Sequence, residues 1–131
     1  MSAGGVVLRG DEVLVIVPTR RAADGTRVLA LPKGHVDPGE TPLEAAAREV
    51  REEAGVEVEH VARLGDVHYV YMRDGRRIAK RVTYFAFRYT AGDPADHDDE
   101  VEEARWMPAA EAAQALTYPG DRDMVARAAL L

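Results

Sequence analysis

The chain contains no cysteine. Disulfides, thiolate nucleophiles and cysteine-based zinc sites are therefore excluded. It also lacks any apolar run approaching the ~20 residues that span a bilayer. Met1 to Arg9 has neither a basic start nor a long apolar stretch. No signal peptide is expected, and a cytoplasmic location is the default. No internal repeat, low-complexity tract or long linker divides the sequence. Its 131 residues suit one domain, 1–131, around one hydrophobic core.

Positive charge is also short. Seventeen Lys and Arg face 23 Asp and Glu, a formal charge of −6. Taken alone, that argues against nucleic acid or another polyanion as a partner. The charge is unevenly spread. Residues 93–103 hold seven acids (Asp93, Asp96, Asp98, Asp99, Glu100, Glu102, Glu103) and no Lys or Arg. Residues 40–53 hold five acids (Glu40, Glu44, Glu49, Glu52, Glu53) against Arg48 and Arg51. Outside these stretches 15 bases face 11 acids, a balance of +4. The chain is a mildly basic body carrying two acidic clusters.

The pattern of residues predicts strands at Val6–Arg9 and Glu12–Pro18, joined at Gly10-Asp11. Asp24-Gly25 is a hairpin-type turn signal. Val28–Leu31 is a short apolar run, and Lys33 to Thr41 reads as a loop. Thr41-Pro42 is a helix start. Leu43, Ala46, Ala47, Val50 and Ala54 then recur on one helical face, and Gly55 suits the left-handed stop. A helix over Pro42–Ala54 follows. Val56–Leu64, Val67–Met72, Ile78–Tyr89 and Val101–Met107 look extended, with a turn at Asp74-Gly75. Pro108–Leu116 and Pro119–Leu131 read as helices. The class is α/β or α+β, with a mixed sheet.

Glu49, Glu52 and Glu53 stand at i, i+3 and i+4, within one arc of the predicted helix. They repel one another, and they sit in the last turns, where the helix dipole disfavours anions. One reading is a solvated acidic face softened by Arg48 and Arg51. The other is a metal site, since oxygen ligands suit Mg²⁺ or Mn²⁺ and a cation would turn repulsion into coordination.

The wider spacing favours the metal. Gly34, Glu40, Arg48-Glu49-Val50, Glu52-Glu53 and Gly55-Val56 match the Nudix box at every defined position over 23 residues. Seven identities and two aliphatic positions arise by chance on the order of 10⁻⁸ per chain at typical residue frequencies. The chain resembles a Nudix (MutT-like) hydrolase. The resemblance implies a mixed β-sheet between helices, with the box as loop–helix–loop. It also implies divalent-metal-dependent hydrolysis of a nucleoside diphosphate linked to another group. Glu49, Glu52 and Glu53 match the family's metal-binding glutamates, and the Lys33 carbonyl matches a further ligand. Glu40 and Arg48 match the positions that orient the helix and its carboxylates. Gly34 and Gly39 would shape the loop. Many members use one more glutamate outside the box, here Glu100, six residues before Trp106, with Glu103 as the fallback. The general base is left open among Glu53, Glu49 and Glu100. The family's isoprenoid-diphosphate isomerases need a catalytic cysteine, which this chain lacks.

The run Pro32-Lys33-Gly34-His35 looks like that of diadenosine polyphosphate hydrolases and of some MutT-like nucleotide sanitisers. Lys33 would place a charge beside phosphates, and His35 would bond phosphate or shape the loop. Arg73, Arg76, Arg77, Lys80 and Arg81 crowd a predicted hairpin that would reach distal phosphates or remain a solvated turn. Tyr69 and Tyr71 share a strand face, as do Phe85 and Phe87, so either pair serves base stacking or the core. Trp106 is expected to be structural, and Tyr118 is a weaker candidate for a base contact. A dinucleoside polyphosphate is the favoured substrate. The alternatives are an oxidised nucleoside triphosphate, an RNA 5′ end or a nucleotide-sensing module without catalysis. Oligomeric state, a homodimer included, is not legible in the sequence.

Overall fold

The computed structural model describes all residues, 1–131. Six strands form one mixed sheet in the order β4-β5-β1-β2-β6, with β3 added to β1. The strands are β1 (Ser2–Arg9), β2 (Glu12–Pro18), β3 (Lys33–His35), β4 (Val56–Arg73), β5 (Arg76–Gly92) and β6 (Val101–Pro108). Helices α1 (Pro42–Ala54), α2 (Ala109–Ala115) and α3 (Pro119–Ala128) complete the chain, with a 3-10 turn at Pro94–Asp96. β1 and β5 run parallel at the centre, while the other neighbours are antiparallel. The mixed sheet between helices is as the sequence implies.

β1 and β2 are buried on both faces, so their side chains alternate between two apolar layers. On one side Val7, Leu14 and Ile16 meet Ala46, Val50 and Ala54 of α1. On the other Val6, Val13 and Val15 meet Leu116 of the α2–α3 link and Met124 and Val125 of α3. The single expected core is thus two cores separated by the sheet.

Helix α1 begins and ends where expected. The Thr41 hydroxyl accepts from the Glu44 N–H at 3.1 Å, and the Glu44 carboxylate accepts from the Thr41 N–H at 2.9 Å. This reciprocal pair satisfies two end donors. Gly55 takes φ 72° at the other end. A Cβ there would also lie 2.5 Å from the Asp93 carbonyl oxygen, so the helix stop doubles as a close crossing of the acidic loop.

Other boundaries move. β1 starts at Ser2, because Gly4 and Gly5 fit a crowded central position. The predicted loop from Lys33 opens with β3, whose Lys33 pairs with Gly4. The short apolar run Val28–Leu31 adds one bridge, Ala30 to Ile16. The two extended segments after α1 are one strand, β4, bent by irregularities at Glu57/Val58, His60/Ala62 and Arg63/Gly65. The last helix ends at Ala128 instead of Leu131. No helix is long and apolar enough to cross a membrane.

Candidate active site

Arg48 on α1 is the organising residue. Its Nε and Nη2 donate to the two Glu40 oxygens at 2.7 and 3.0 Å. Nη1 donates to Glu49 at 2.7 Å, and Nη2 also reaches the His35 carbonyl at 2.9 Å. The guanidinium therefore ties the loop after β3 to the helix. The same pair holds the Glu40 carboxyl down at about 2, aided by the Asp37 N–H, and raises the Arg48 pKa above its ordinary value. Gly34 is the point of closest approach. A Cβ there would run into the Glu49 carboxylate.

Glu49 and Glu53 face a cleft of about 630 Å³ that Glu100 also lines. Glu53 Oε1 accepts the Lys33 N–H at 2.7 Å. Burial pushes the Glu53 carboxyl up to about 8. The Lys33 N–H opposes that rise, while Glu49, Asp98 and Glu100 add to it. Burial also raises Glu49, against the pull of Arg48 and with help from Glu52 and Glu100. Glu100 is fixed through its backbone. Its carbonyl accepts from the Thr19 N–H at 2.9 Å, and its N–H donates to Asp98 at 3.1 Å. Asp98 in turn donates its N–H to the Glu52 carbonyl, tethering the acidic loop to the end of α1.

Cations share the same cleft. Lys33, Lys80 and Arg20 line the cleft with His35 and Tyr118. An adjoining chamber of about 520 Å³ shares Arg20, Lys33, Lys80 and Tyr118 and adds Tyr69, Tyr71 and Arg73. The Lys33 ammonium lies 4.8 Å from the Tyr69 ring centre and 5.5 Å from that of Tyr118. Burial lowers the Lys33 pKa; Lys80 and Arg20 lower it further, while Asp121 and Glu53 hold it up. Burial, then Arg20, lowers Lys80. Burial and Asp121 push the Tyr69 hydroxyl up to about 12.

Several sequence candidates lie elsewhere. Glu52 is half exposed against Arg48, at 3.3 Å, and does not line the cleft. Arg77 stands near the hairpin tip opposite Met72, and neither it nor Arg81 reaches the cleft. The strand alternation of β5 turns Arg81 to the other side from Lys80. Glu103 is paired with Arg105 at 2.7 Å, leaving Glu100 as the extra carboxylate in the cleft. Phe85 and Phe87 belong to the core. Trp106 packs edge-on against Tyr89, with Arg9 stacked 4.0 Å from its centre.

Two cleft-associated residues escaped the sequence reading. Arg20 sits just after β2, and nothing in its neighbours marks it. Asp121 is fully buried beneath the chamber. Its sequence signal is weak: an acid in the first turn of a helix, which the dipole favours anyway.

No three acidic or histidine side chains converge tightly enough to form a ready metal cage. The donor chemistry nevertheless fits a divalent cation. Glu49, Glu53 and Glu100 offer hard oxygens in one cleft, and beyond the effect of burial Glu100 helps to raise both Glu49 and Glu53.

The NUDIX domain model matches residues 1–128. MutT4 of Mycobacterium tuberculosis, a mutator protein by name, is 37% identical over 126 residues, covering 92% of this chain and 51% of that protein. An 8-oxo-(d)GTP phosphatase of Mycolicibacterium smegmatis is 42% identical over 98 residues, covering 75% of this chain and 29% of that protein. The chain thus spans about half, or less, of the length of these relatives. The crystal structure of a Caenorhabditis elegans Ap4A hydrolase binary complex superposes with a TM-score of 0.71 at 25% identity, covering 99% and 96% of the two chains. Hydrolases of this family generally use divalent metals. An unbroken box folded around helix α1, under a matching sheet, leaves one assignment: the chain belongs to the NUDIX (MutT-like) hydrolase family.

Proposed function

We propose that this chain hydrolyses the pyrophosphate linkage of a nucleoside diphosphate joined to another group, with Mg²⁺ or, in its place, Mn²⁺. One observation carries this reading. A single cleft is lined by carboxylates (Glu49, Glu53, Glu100) and by cations (Lys33, Lys80, Arg20). The carboxylates suit metal ions and the cations suit phosphates. Glu49, Glu53 and Glu100 would hold the metal; Glu52 and the Lys33 carbonyl are further donors implied by the box. A bound divalent ion neutralises phosphate charge and lowers the pKa of an attacking water. Arg48 and Glu40 keep the carboxylates aligned. One of Glu53, Glu49 and Glu100 accepts the proton of that water. Two phosphorylated products leave.

Dinucleoside polyphosphates are the favoured substrates. The adjoining chamber, with Tyr69, Tyr71 and Tyr118 among four cationic side chains, suits a base or distal phosphates beyond the scissile bond. Turnover of diadenosine tetraphosphate with Mg²⁺, abolished by chelator and by Glu53→Gln, is the expected result. Absence of turnover would remove this substrate. Glu53→Gln activity equal to wild type would remove the site. A second reading, sanitising of oxidised nucleoside triphosphates, is supported by the likeness to MutT4 and to the 8-oxo-(d)GTP phosphatase. Rates on 8-oxo-dGTP and diadenosine tetraphosphate, measured side by side, separate the two. The charge of −6, and Arg77 and Arg81 lying outside the cleft, weigh against an RNA 5′ end. The complete box weighs against a module without catalysis.

A further inference from the structure

We infer that Asp121 is a positioning residue that sets the Lys33 ammonium and the Tyr69 ring at the junction of the carboxylate cleft and the tyrosine chamber, and so tunes affinity for the polyphosphate group. The inference rests on the nucleotide-hydrolase reading of that cleft.

Asp121 has no exposed surface. It is an unusual residue to bury without a cation in direct contact. Its partners are neutral. The Tyr84 hydroxyl donates to Oδ1 at 2.7 Å, and the Leu31 N–H donates to Oδ2 at 3.3 Å. The Tyr69 hydroxyl approaches Oδ1 at 3.5 Å. Each partner leads toward the cleft. Tyr69 lines the chamber and lies under the Lys33 ammonium. Leu31 lines the cleft two residues before Lys33. Tyr84 is fully buried and crowds Gly4, the β1 residue paired with Lys33. Asp121 and Glu53 are the carboxylates that hold the Lys33 pKa up against burial.

The arrangement answers a problem of like charges. Lys33, Lys80 and Arg20 line one cleft, and the other two cations lower the Lys33 pKa. A buried counter-charge behind Lys33 holds that ammonium against its neighbours without occupying the cleft. Donation by Tyr84 fixes the carboxylate, so its field points one way. Substrate then meets a preset cation and aromatic face, and loses less free energy in ordering them.

The test is a double-mutant cycle between Asp121→Asn and Lys33→Met. The readouts are KM and kcat on the turned-over nucleotide, and calorimetric affinity for inorganic tripolyphosphate with Mg²⁺. Asp121→Asn is expected to raise KM and weaken tripolyphosphate about tenfold, with kcat within about threefold. In the Lys33→Met background the same change is expected to have little effect. A purely structural role would lower thermal stability and leave KM of the folded fraction unchanged, and that result overturns the inference. Equal effects in both backgrounds also overturn it. If Asp121→Asn does not fold, Tyr84→Phe replaces it in the cycle, because Tyr84 touches Asp121 and does not line the cleft. If no nucleotide is hydrolysed, non-additive loss of tripolyphosphate binding still supports positioning while the hydrolase reading fails. Hydrolysis with an unchanged KM leaves the hydrolase reading intact and removes positioning.

Discussion

Replacing Glu53 by Gln tests the electrostatics of the cleft carboxylates apart from catalysis. Burial, reinforced by Glu49, Asp98 and Glu100, raises the Glu53 carboxyl from 4.5 to about 8. In the metal-free protein the folded state therefore binds a proton that the unfolded state has released. That excess exists between about pH 4.5 and 8, the unfolded and folded values. Stability is full below the lower value and falls as pH rises through the upper one. At about 1.4 kcal/mol per pH unit, the loss reaches about 3–5 kcal/mol, with the neighbouring carboxylates sharing it. Gln cannot ionise, and its amide oxygen still accepts the Lys33 N–H. The variant should lose most of the pH slope and be more stable than wild type at pH 9. Urea unfolding of chelator-treated protein at pH 6, 7.5 and 9 reads both effects. Parallel pH dependences for wild type and variant would falsify the assignment of the buried charge to Glu53. Adding Mg²⁺ should flatten the wild-type slope, because a cation takes the place of the proton.

Gly34→Ala drives a methyl group toward the Glu49 carboxylate. It should cost about 1–3 kcal/mol in thermal unfolding and lower kcat/KM more than tenfold. Arg48→Ala frees Glu40 and Glu49 together and releases the His35 carbonyl. A loss of about 2–4 kcal/mol is expected, and Arg48→Lys should recover only part of it, since it cannot reproduce the two-pronged Glu40 contact. Thr41→Ala removes half of the reciprocal cap. Denaturation should report about 1 kcal/mol, with activity per folded molecule retained.

Helix α1 was legible in full because capping, apolar spacing and a terminal glycine all speak locally. Glu49, Glu53 and Glu100 were legible through the box and the spacing from Trp106. The remainder depends on contacts distant in sequence. Lys33–His35 read as a loop because a three-residue edge strand carries too few positions to show alternation. β4 read as two strands because Gly65, at φ 141°, marks an interruption that the sheet absorbs as a bend. The basic run from Arg73 to Arg81 read as one patch. Alternation on β5 separates Lys80 from Arg81, and only Lys80 and Arg73 reach the cleft or its chamber. Arg20 and Asp121 were missed because one turn and one helix start carry no mark of what they face across the fold.

The sheet separates two apolar layers, and the cleft draws on both. Glu49 and Glu53 ride on α1, anchored in one core, whereas Asp121 rides on α3, anchored in the other. Occupancy should therefore be readable layer by layer through amide hydrogen exchange. Magnesium alone should slow exchange in α1 and the acidic loop. A bound polyphosphate should extend that slowing to α3, on the far side of the sheet. Substrate preference can then drift through changes on the α3 side while helix α1 stays unaltered.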